Sequence, residues 1–425
     1  MDRNARFYPE NAPKEYRSEA QVDRDRILYC PHFARLAEVT QTRSSDGQVL
    51  VHNRLTHSLK VGQLARRIAE AIIIKDAKLA ELLKIDPDVA EAAGLAHDMG
   101  HPPFGHIAER ELNDLVKQRV GKACEGYEGN AQSFRIVTSL AIGDTAVAKD
   151  IQPGLNLTQA TLNAILKYPW RYEENPEKMN KWGAYETETR VFDSVRKGSR
   201  ALTRSAEAEI MDWADNITYA VHDMVDFYCA GLIPLHLFAN GGDLGKREWN
   251  DFFDQVCKRK EHVASNRYDF EHALRQVFSF SPIDRAYDGS QPQSRDLWFF
   301  FSVLISKYIE AMDLVDPGQN GGRCVKINQN ALNQTDILKE LTWHYVIKRS
   351  NSATLQRRQR IVIRELFNVL FRAVENNNLE FLPIGFAQFI GRSRDVSAAR
   401  WVADYISGLT ERQAVNLYRK LVRHQ

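Results

Sequence analysis

The chain contains 425 residues, 44% of them hydrophobic, and its 57 Lys and Arg nearly balance its 55 Asp and Glu. This length and apolar fraction predict a globular protein with a large core, and a net charge of +2 does not indicate a nucleic-acid-binding protein. The most apolar stretches, such as residues 69–83, are interrupted by charges and are too short to span a bilayer. The charged N-terminus lacks the apolar core of a signal peptide, so we expect a cytoplasmic protein that makes no membrane contact.

Helical periodicity dominates the chain. An amphipathic helix is predicted from Leu55 onward, because apolar residues recur there at steps of four or five up to Ile72. The next helix is predicted to begin after Asp86, a good N-cap residue that Pro87 follows in the first turn, and to end at Gly100. Further amphipathic helices are predicted at residues 108–120, 128–142, 205–231, 353–377 and 410–424.

Strand patterns are scarce by comparison. Alternation of apolar and polar residues is confined to two short segments, residues 47–52 and 323–328. The sequence therefore predicts a mainly α-helical fold. A Gly-rich loop at residues 316–323 is a candidate boundary between a C-terminal helical region and the rest of the chain.

One segment, residues 94–111 with the sequence GLAHDMGHPPFGHIAERE, is unusually rich in histidine. It places His97, His101 and His106 within ten residues, in a chain that has 12 histidines, and adds the carboxylates Asp98 and Glu109. Taken one at a time, a buried histidine is more often a core residue than a ligand, and a helical aspartate usually faces solvent. The cluster as a whole favours chemistry over packing.

Two more residues from distant predicted helices could join this cluster. His57 lies in the first turn of the Leu55 helix, and Asp215 lies midway along the helix of residues 205–231. With His97 and Asp98 they form a mixed nitrogen and oxygen ligand set, which suits Mn²⁺, Mg²⁺, Fe²⁺ or Zn²⁺ better than a metal that prefers sulfur. The four positions are not close in sequence, so spacing alone does not establish a site.

The surrounding motifs carry a family resemblance. The segments RLTHS, LAHDMGHPPFGH and MDWADNITYAVHD supply His, His-Asp and a distant Asp in the order found in HD-domain phosphohydrolases. RDRILYCPHFARL, HNRLTHSLKVGQLARRIA, GYEGNAQSFRIV and DYISGLTERQAVNLYRKL resemble further blocks of the deoxyguanosinetriphosphate triphosphohydrolase family. The resemblance extends from about residue 16 to about residue 421.

This resemblance implies an all-α HD-domain fold with an HD core at about residues 27–235 and an accessory C-terminal helical region at about 236–425. It implies metal-dependent hydrolysis of a deoxynucleoside triphosphate (dNTP) to the deoxynucleoside and inorganic triphosphate. By similarity, His57, His97, Asp98 and Asp215 hold the divalent cation, with Mn²⁺ or Mg²⁺ favoured and Fe²⁺, Co²⁺ or Zn²⁺ as alternatives.

The resemblance also assigns roles to residues outside the metal set. His106 and Glu109 match the catalytic pair of the family. His101 and Arg54 match residues near the phosphates. Three further residues match positions near the sugar, and together they would exclude a ribose 2′-hydroxyl: Gln41, Tyr219 and Asp223.

Two alternatives stay open at this point. The chain could be an HD phosphohydrolase of another kind, such as a nucleotidase or a phosphodiesterase, or a nucleotide or single-stranded DNA sensor without catalytic activity on the same fold. The family resemblance implies a homo-oligomer, either a tetramer or a hexamer. Two basic clusters are candidate sites for a regulatory nucleotide or single-stranded DNA, although a solvated helix face explains them equally well: Arg196, Lys197, Arg200 and Arg204, and Arg357, Arg358, Arg360 and Arg364.

Overall fold

In a computed structural model, the described part of the protein is mainly helical with very few strands, which confirms the predicted all-α class. The description covers residues 2–10, 16–42, 52–121, 124–143, 147, 152–348, 353–380, 382–384, 387, 390 and 396–422. None of the helices in these ranges combines the length and the apolar character needed to cross a bilayer.

Helices account for most of the described residues. Those of the first half are α1 (Glu19–Leu28), α2 (Pro31–Ala34), α3 (Arg54–Lys75), α4 (Ala77–Leu83), α5 (Pro87–Ala96), α6 (His106–Val120), α7 (Gly129–Arg135), α8 (Gln159–Ile165) and α9 (Thr189–Arg196). Those of the second half are α10 (Ala206–Ile217), α11 (Asp223–Cys229), α12 (Leu235–Asn240), α13 (Asp243–Arg259), α14 (Glu261–Ser265), α15 (Arg267–Phe278), α16 (Gln291–Glu310), α17 (Gln329–Thr342), α18 (Ala353–Glu375), α19 (Ala398–Ser407) and α20 (Glu411–Val422).

Tighter and wider turns extend several of these helices. Short 3₁₀ helices occupy Arg35–Glu38, Pro176–Lys178 and Glu186–Glu188, and π-helical turns occupy Ile136–Leu140, Thr218–His222 and Trp343–Ile347. The π-helical turn at Thr218–His222 joins α10 to α11, so the predicted helix of residues 205–231 is confirmed as one continuous helical run with a local widening. Gly231, with a φ of 73°, follows its last turn.

The described strands form two small antiparallel pairs. β1 (Thr40–Thr42) pairs with β2 (His52–Asn53), and β3 (Met312–Leu314) pairs with β4 (Val325–Ile327). The predicted strand at residues 323–328 is confirmed by β4, whereas most of the predicted strand at residues 47–52 lies outside the described residues. Residues 316–323, the candidate domain boundary, connect β3 to β4, and the division of the chain into two regions stays a prediction.

Helix α3 is the centre of the fold and packs against α5 and α10. Its buried face, which includes Val61 and Ile68, joins Trp213 and Ile217 of α10 in the largest apolar cluster. The close approach of α3 and α5 depends on glycine, because a Cβ added to Gly94 would lie 2.7 Å from the Cα of Gly62. This contact brings the first turn of α3 near the end of α5.

The C-terminal helices form a separate apolar cluster against α6. Leu112 and Leu115 of α6 pack with Phe367 and Leu370 of α18, and Ile406 of α19 belongs to the same cluster. The C-terminal helices therefore fix the position of α6 relative to the rest of the fold.

Helix α5 begins as predicted and ends earlier than predicted. Asp86 caps its N-terminus by accepting a hydrogen bond from the Asp88 amide, but the helix ends at Ala96 and not at Gly100. The chain then turns sharply, as the hydrogen bonds from the Met99 amide to the Ala96 carbonyl and from the His101 amide to the Asp98 carbonyl show. Because the helix ends early, the side chains of the residues that follow it do not continue the helical spacing.

Gly100 has a packing role in this turn. A Cβ added there would lie 2.1 Å from the carbonyl oxygen of Gly129 and 2.3 Å from the amide nitrogen of Ser133. We predict that Gly100→Ala lowers the free energy of unfolding by about 1–3 kcal/mol, because overpacking forces backbone to move. Thermal or denaturant unfolding measures this, and Gly242→Ala is the matched control, since a Cβ there would meet nothing within 4 Å. Equal stability of the two variants would contradict the prediction.

Candidate active site

Three helices bring the distant metal-ligand candidates together. His57 lies in the first turn of α3, His97 directly follows α5, and Asp215 lies in α10. The Nε2 atom of His57 is 3.0 Å from Oδ1 of Asp215, and Nε2 of His97 is 3.8 Å from the same oxygen. One nitrogen or oxygen atom from each of the three residues therefore lies within 4.8 Å of the others.

Asp98, the fourth predicted ligand, lies at the edge of this group. Its Oδ1 atom is 3.4 Å from Nε2 of His97 and 3.1 Å from Nδ1 of His101. Its Oδ2 atom accepts a hydrogen bond of 2.6 Å from Nη1 of Arg54. The carboxylate thus connects the three-residue group to two of the residues predicted to bind phosphate.

The donor atoms of these residues fit a divalent cation. Nδ1 of His97 donates a hydrogen bond of 2.7 Å to the Gly94 carbonyl, and because a carbonyl can only accept, the lone pair of this imidazole is on Nε2, which faces the group. Burial alone would raise the pKa values of both carboxyls, but Lys167 beside Asp215 and the Arg54 guanidinium beside Asp98 outweigh it and hold both pKa values well below their usual range. Neutral imidazole and ionised carboxylates are the ligand forms that such a cation requires.

His57 would lose a proton if a cation were bound. Burial alone would lower its pKa, but the carboxylates of Asp215 and Asp223 outweigh burial and raise the pKa of His57 to about 10. Nδ1 of His57 lies 3.8 Å from Oδ1 of Asp223. Two carboxylates beside one imidazole form an anionic cluster that favours a positive charge, whether a proton or a metal ion.

The predicted catalytic pair forms a hydrogen bond at the start of α6. Helix α6 begins at His106, and Nδ1 of His106 donates to Oε2 of Glu109 at 2.7 Å. Glu109 is buried, whereas 68% of the His106 side chain is exposed. The carboxylate therefore fixes the imidazole tautomer and leaves Nε2 of His106 available for proton transfer.

The backbone immediately before α6 has an unusual conformation, which orients the His106 side chain at the start of the helix. Phe104 and Gly105 have φ values of 69° and 58°, and a positive φ is unfavourable for a phenylalanine. Pro102 and Pro103 directly precede these residues. The ring centroids of His101 and His106 end 5.5 Å apart.

A cavity of about 800 Å³ opens beside the predicted catalytic pair. Its walls include His106 and Glu109, as well as Gln41 and Arg54, two of the predicted substrate contacts. His101 is buried next to this wall, and burial together with the Arg54 guanidinium lowers its pKa to about 4, so its imidazole is neutral. These residues bring polar and cationic groups to one side of a nucleotide-sized space.

The other two predicted sugar contacts, Tyr219 and Asp223, are not among the residues that line this cavity. Asp223 is fully buried beside Nδ1 of His57, and burial with the nearby Asp223 and Asp215 carboxylates raises the pKa of Tyr219. The π-helical turn between α10 and α11 changes the spacing, so Asp215, Tyr219 and Asp223 do not follow an ideal helical stripe. All three nevertheless remain near His57 or one another.

Two lysines of the site were missed by sequence reasoning. Nζ of Lys167 is 2.7 Å from Oδ2 of Asp215, and Nζ of Lys181 is 3.3 Å from Oε1 of Glu109 and 2.8 Å from Oε1 of Glu128. Lys167 and Lys181 lie in the irregular segment after α8, where no periodicity or spacing marks a functional residue. Their role could have been suggested only by a motif that already included them.

Lys181 also provides a test of the catalytic pair. Although burial raises the pKa of Glu109, the hydrogen bond from His106 and the nearby cationic groups, Lys181 among them, hold it well below its usual value. We predict that Lys181→Met raises the pKa of Glu109, so that activity is lost at a higher pH on acidification. The pH profile of kcat/KM measures this shift. Lys181→Arg is the charge-conserving control, and identical acidic limbs for Lys181→Met and the unmodified protein would contradict the prediction.

The C-terminal helices support the back of the site. Asp404 of α19 accepts hydrogen bonds from Gln132 and Arg135 of α7, at distances between 2.8 and 3.1 Å. Arg35, a further residue missed from sequence, donates to the carbonyls of Leu409, Met99 and His101. The turn that carries His101 is thus connected directly to the C-terminal region.

The two basic clusters differ in their surroundings. Arg196 donates to Asn163 and to backbone carbonyls, and Arg204 pairs with Asp212, so these two guanidinium groups have internal partners. On α18, Arg364 pairs with Glu111 of α6, whereas Arg357, Arg358 and Arg360 are exposed. Arg358 lines a second groove of about 940 Å³, and nucleic-acid or nucleotide binding there stays a prediction.

Comparison with known proteins identifies the family. The HD domain family matches residues 54–220, and the family described as phosphohydrolase-associated domain matches residues 325–420. A deoxyguanosinetriphosphate triphosphohydrolase-like protein of Streptomyces coelicolor is 33% identical over 99% of this chain and 96% of its own length. Proteins with this name from Corynebacterium efficiens (31% identical, 95% of this chain and 91% of that protein) and Vibrio cholerae (33%, 95% and 88%; there numbered 2) are also similar. The chain therefore belongs to the HD-domain family of deoxyguanosinetriphosphate triphosphohydrolase-like proteins.

Proposed function

We propose that this protein hydrolyses dNTPs at the α-phosphorus, giving the deoxynucleoside and inorganic triphosphate. The observation that carries the proposal is the position of the His106–Glu109 pair. It lies on one cavity wall with Arg54, whose guanidinium is bonded to Asp98 of the metal-ligand group. The names of the similar proteins, deoxyguanosinetriphosphate triphosphohydrolase-like proteins, support a deoxynucleotide substrate.

His57, His97, Asp98 and Asp215 would hold the divalent cation of this reaction. A mixed set of imidazole and carboxylate ligands suits Mn²⁺ or Mg²⁺, with Fe²⁺, Co²⁺ and Zn²⁺ as alternatives. When bound, such a cation offsets charge on phosphoryl oxygens and lowers the pKa of water. Lys167 keeps Asp215 ionised and oriented toward the cluster through its contact with Oδ2.

The remaining residues of the proposal act on the substrate. Arg54 can bind phosphate oxygens as a planar donor. His101, whose imidazole lies beside the Asp98 carboxylate, is the second proposed phosphate contact. His106, held by Glu109, exchanges a proton at Nε2 with the reacting ester. Gln41, Tyr219 and Asp223 are the proposed sugar contacts that exclude the ribonucleotide.

One product assay tests the function. The protein is incubated with each dNTP and each ribonucleoside triphosphate, with Mn²⁺ or Mg²⁺, and the phosphate product is identified by ion chromatography or ³¹P NMR. We expect inorganic triphosphate from at least one dNTP. Orthophosphate or pyrophosphate as the product would instead indicate another kind of HD phosphohydrolase, and no turnover with any metal or added nucleotide would indicate a sensor.

The assembly and regulation are proposed separately. We propose that the chain consists of an HD core at about residues 27–235 and an accessory region at about 236–425. We also propose that it forms a homo-oligomer, either a tetramer or a hexamer. A regulatory nucleotide or single-stranded DNA would bind the exposed arginines of α18, and its affinity should fall with added salt if phosphate contacts dominate.

A further inference from the structure

Helix α16 has one face in the core and an apolar face in solvent. Leu297, Phe300, Phe301, Leu304 and Tyr308 are buried, whereas Trp298, Phe299 and Val303 are 60%, 71% and 40% exposed. At about 100° per residue, the exposed face spans roughly 140° of the helix. We call this face the α16 face; its exposed residues are Arg295, Trp298, Phe299, Ser302, Val303, Ser306 and Glu310.

An exposed surface with two large aromatic rings on one helix is uncommon in a monomeric protein. Single exposed apolar residues are ordinary, but adjacent exposed aromatic and aliphatic side chains indicate an interaction surface. Ser302 and Ser306 lie between the larger side chains and would let another helix approach closely.

The α16 face is complementary to itself when two copies run antiparallel. Across a twofold axis that passes between Ser302 and Val303, positions at equal distance from the axis face each other. Phe299 of one copy then faces Ser306 of the other, so a large side chain meets a small one. By the same symmetry, Arg295 faces Glu310, so the ends of the helix pair through opposite charges.

Other arrangements of the same face lack this complementarity. In a parallel pair, Phe299 would meet Phe299 and Arg295 would meet Arg295, which places like charges together. A partner of different sequence would not need a face whose two halves complement each other in size and in charge. We propose that the α16 face forms a twofold symmetrical, antiparallel interface with a second copy of this chain.

This interface goes beyond the proposed function and is independent of it. Twofold pairs are the building blocks of both dihedral tetramers and dihedral hexamers. Helix α16 packs against α3 and the π-helical turn at Thr218–His222, and Trp213 donates to the Tyr308 carbonyl. None of the residues of the α16 face lines the cavity that contains His106 and Glu109, and oligomeric state can be measured without any activity.

The first test is the mass of the full-length protein. Light scattering after gel filtration, and sedimentation equilibrium at several concentrations, should show that the protein contains an even number of 48.7 kDa chains. We expect Phe299→Glu to weaken pairing at least about 30-fold, because a central aromatic anchor is replaced by a charge. Leu244→Glu is the matched control, since Leu244 is also 71% exposed, and it should leave the mass unchanged. A monomeric protein at tens of micromolar, or a Phe299→Glu variant with the unmodified mass, would overturn the proposal.

The second test addresses the antiparallel geometry. Arg295→Glu and Glu310→Arg should each weaken pairing about tenfold, because each places two like-charge contacts in the interface. An equimolar mixture of the two variants should recover pairing, since a heterodimer then has opposite charges at both contacts. The double variant should recover it as well. Failure of both the mixture and the double variant to recover would show that Arg295 and Glu310 do not face each other, and the proposed geometry would be wrong.

Discussion

Replacing Asp98 with alanine is expected to remove the bound metal and the activity together. Asp98 is buried and its two oxygens contact His97, His101 and Arg54, so its loss affects both the metal group and the phosphate side of the cavity. We expect metal content to fall below one tenth of an equivalent and turnover to fall by about 10³-fold or more. Elemental analysis after dialysis and the triphosphate assay measure the two effects.

Two controls separate loss of the site from loss of the fold. Breaking a buried ion pair costs about 3–5 kcal/mol, so the thermal unfolding of each variant must be measured. Asp98→Asn preserves the shape of the side chain and removes its charge, and it should also lose metal. Asp251→Ala, at an exposed position on α13, should retain both metal and activity. An Asp98→Ala protein that is folded and still binds a full equivalent of metal would remove Asp98 from the ligand set.

Replacing His106 with alanine is expected to have a different effect, with metal retained and turnover lost. His106 contacts Glu109 and lies outside the group of His57, His97 and Asp215, and its side chain is largely exposed to the cavity. Loss of a general acid or base lowers turnover about 10²–10⁴-fold. We therefore expect kcat to fall by that factor while metal content stays at the level of the unmodified protein.

The partner residue gives the corresponding check. Glu109→Gln should lower kcat in the same direction, because an amide no longer stabilises the protonated imidazole of His106. If the two residues act as one unit, the double variant should be hardly worse than His106→Ala alone. Additive losses would show that Glu109 acts on something other than His106, and equal metal loss in Asp98→Ala and His106→Ala would contradict the division of roles.

Much of the fold and of the candidate site could be predicted before the structure. The N-cap at Asp86, the helix predicted at residues 108–120 and the long run from α10 to α11 are local properties of the sequence, although α6 begins two residues before the predicted start, at His106. Capping, periodicity and the absence of strand patterns depend on residues within a few positions of one another. Local signals of this kind are reliable when a helix is long and strongly amphipathic.

The errors have equally local causes. Gly100 was predicted to end α5, but its need for space against the Gly129 carbonyl explains its presence better than helix capping does. The turn at His97–Gly100 cannot be recognised from periodicity because it is only four residues long. The π-helical turn at Thr218–His222 is similarly short, so periodicity does not reveal it.

The sequence by itself determined the helical class and the positions of the major helices, because these depend on residue type and short-range spacing, whereas the candidate site residues came from the family resemblance of its motifs. Only the tertiary structure decided which cationic side chains contact the carboxylates of the candidate site. Lys181 reaches Glu109 across 72 positions of sequence, and Lys167 reaches Asp215 across 48, both from an irregular segment. The α16 face could also be recognised only in the structure, because apolar residues recur on both the buried and the exposed side of helix α16. Only burial distinguishes the face that packs in the core from the face that remains for a second copy.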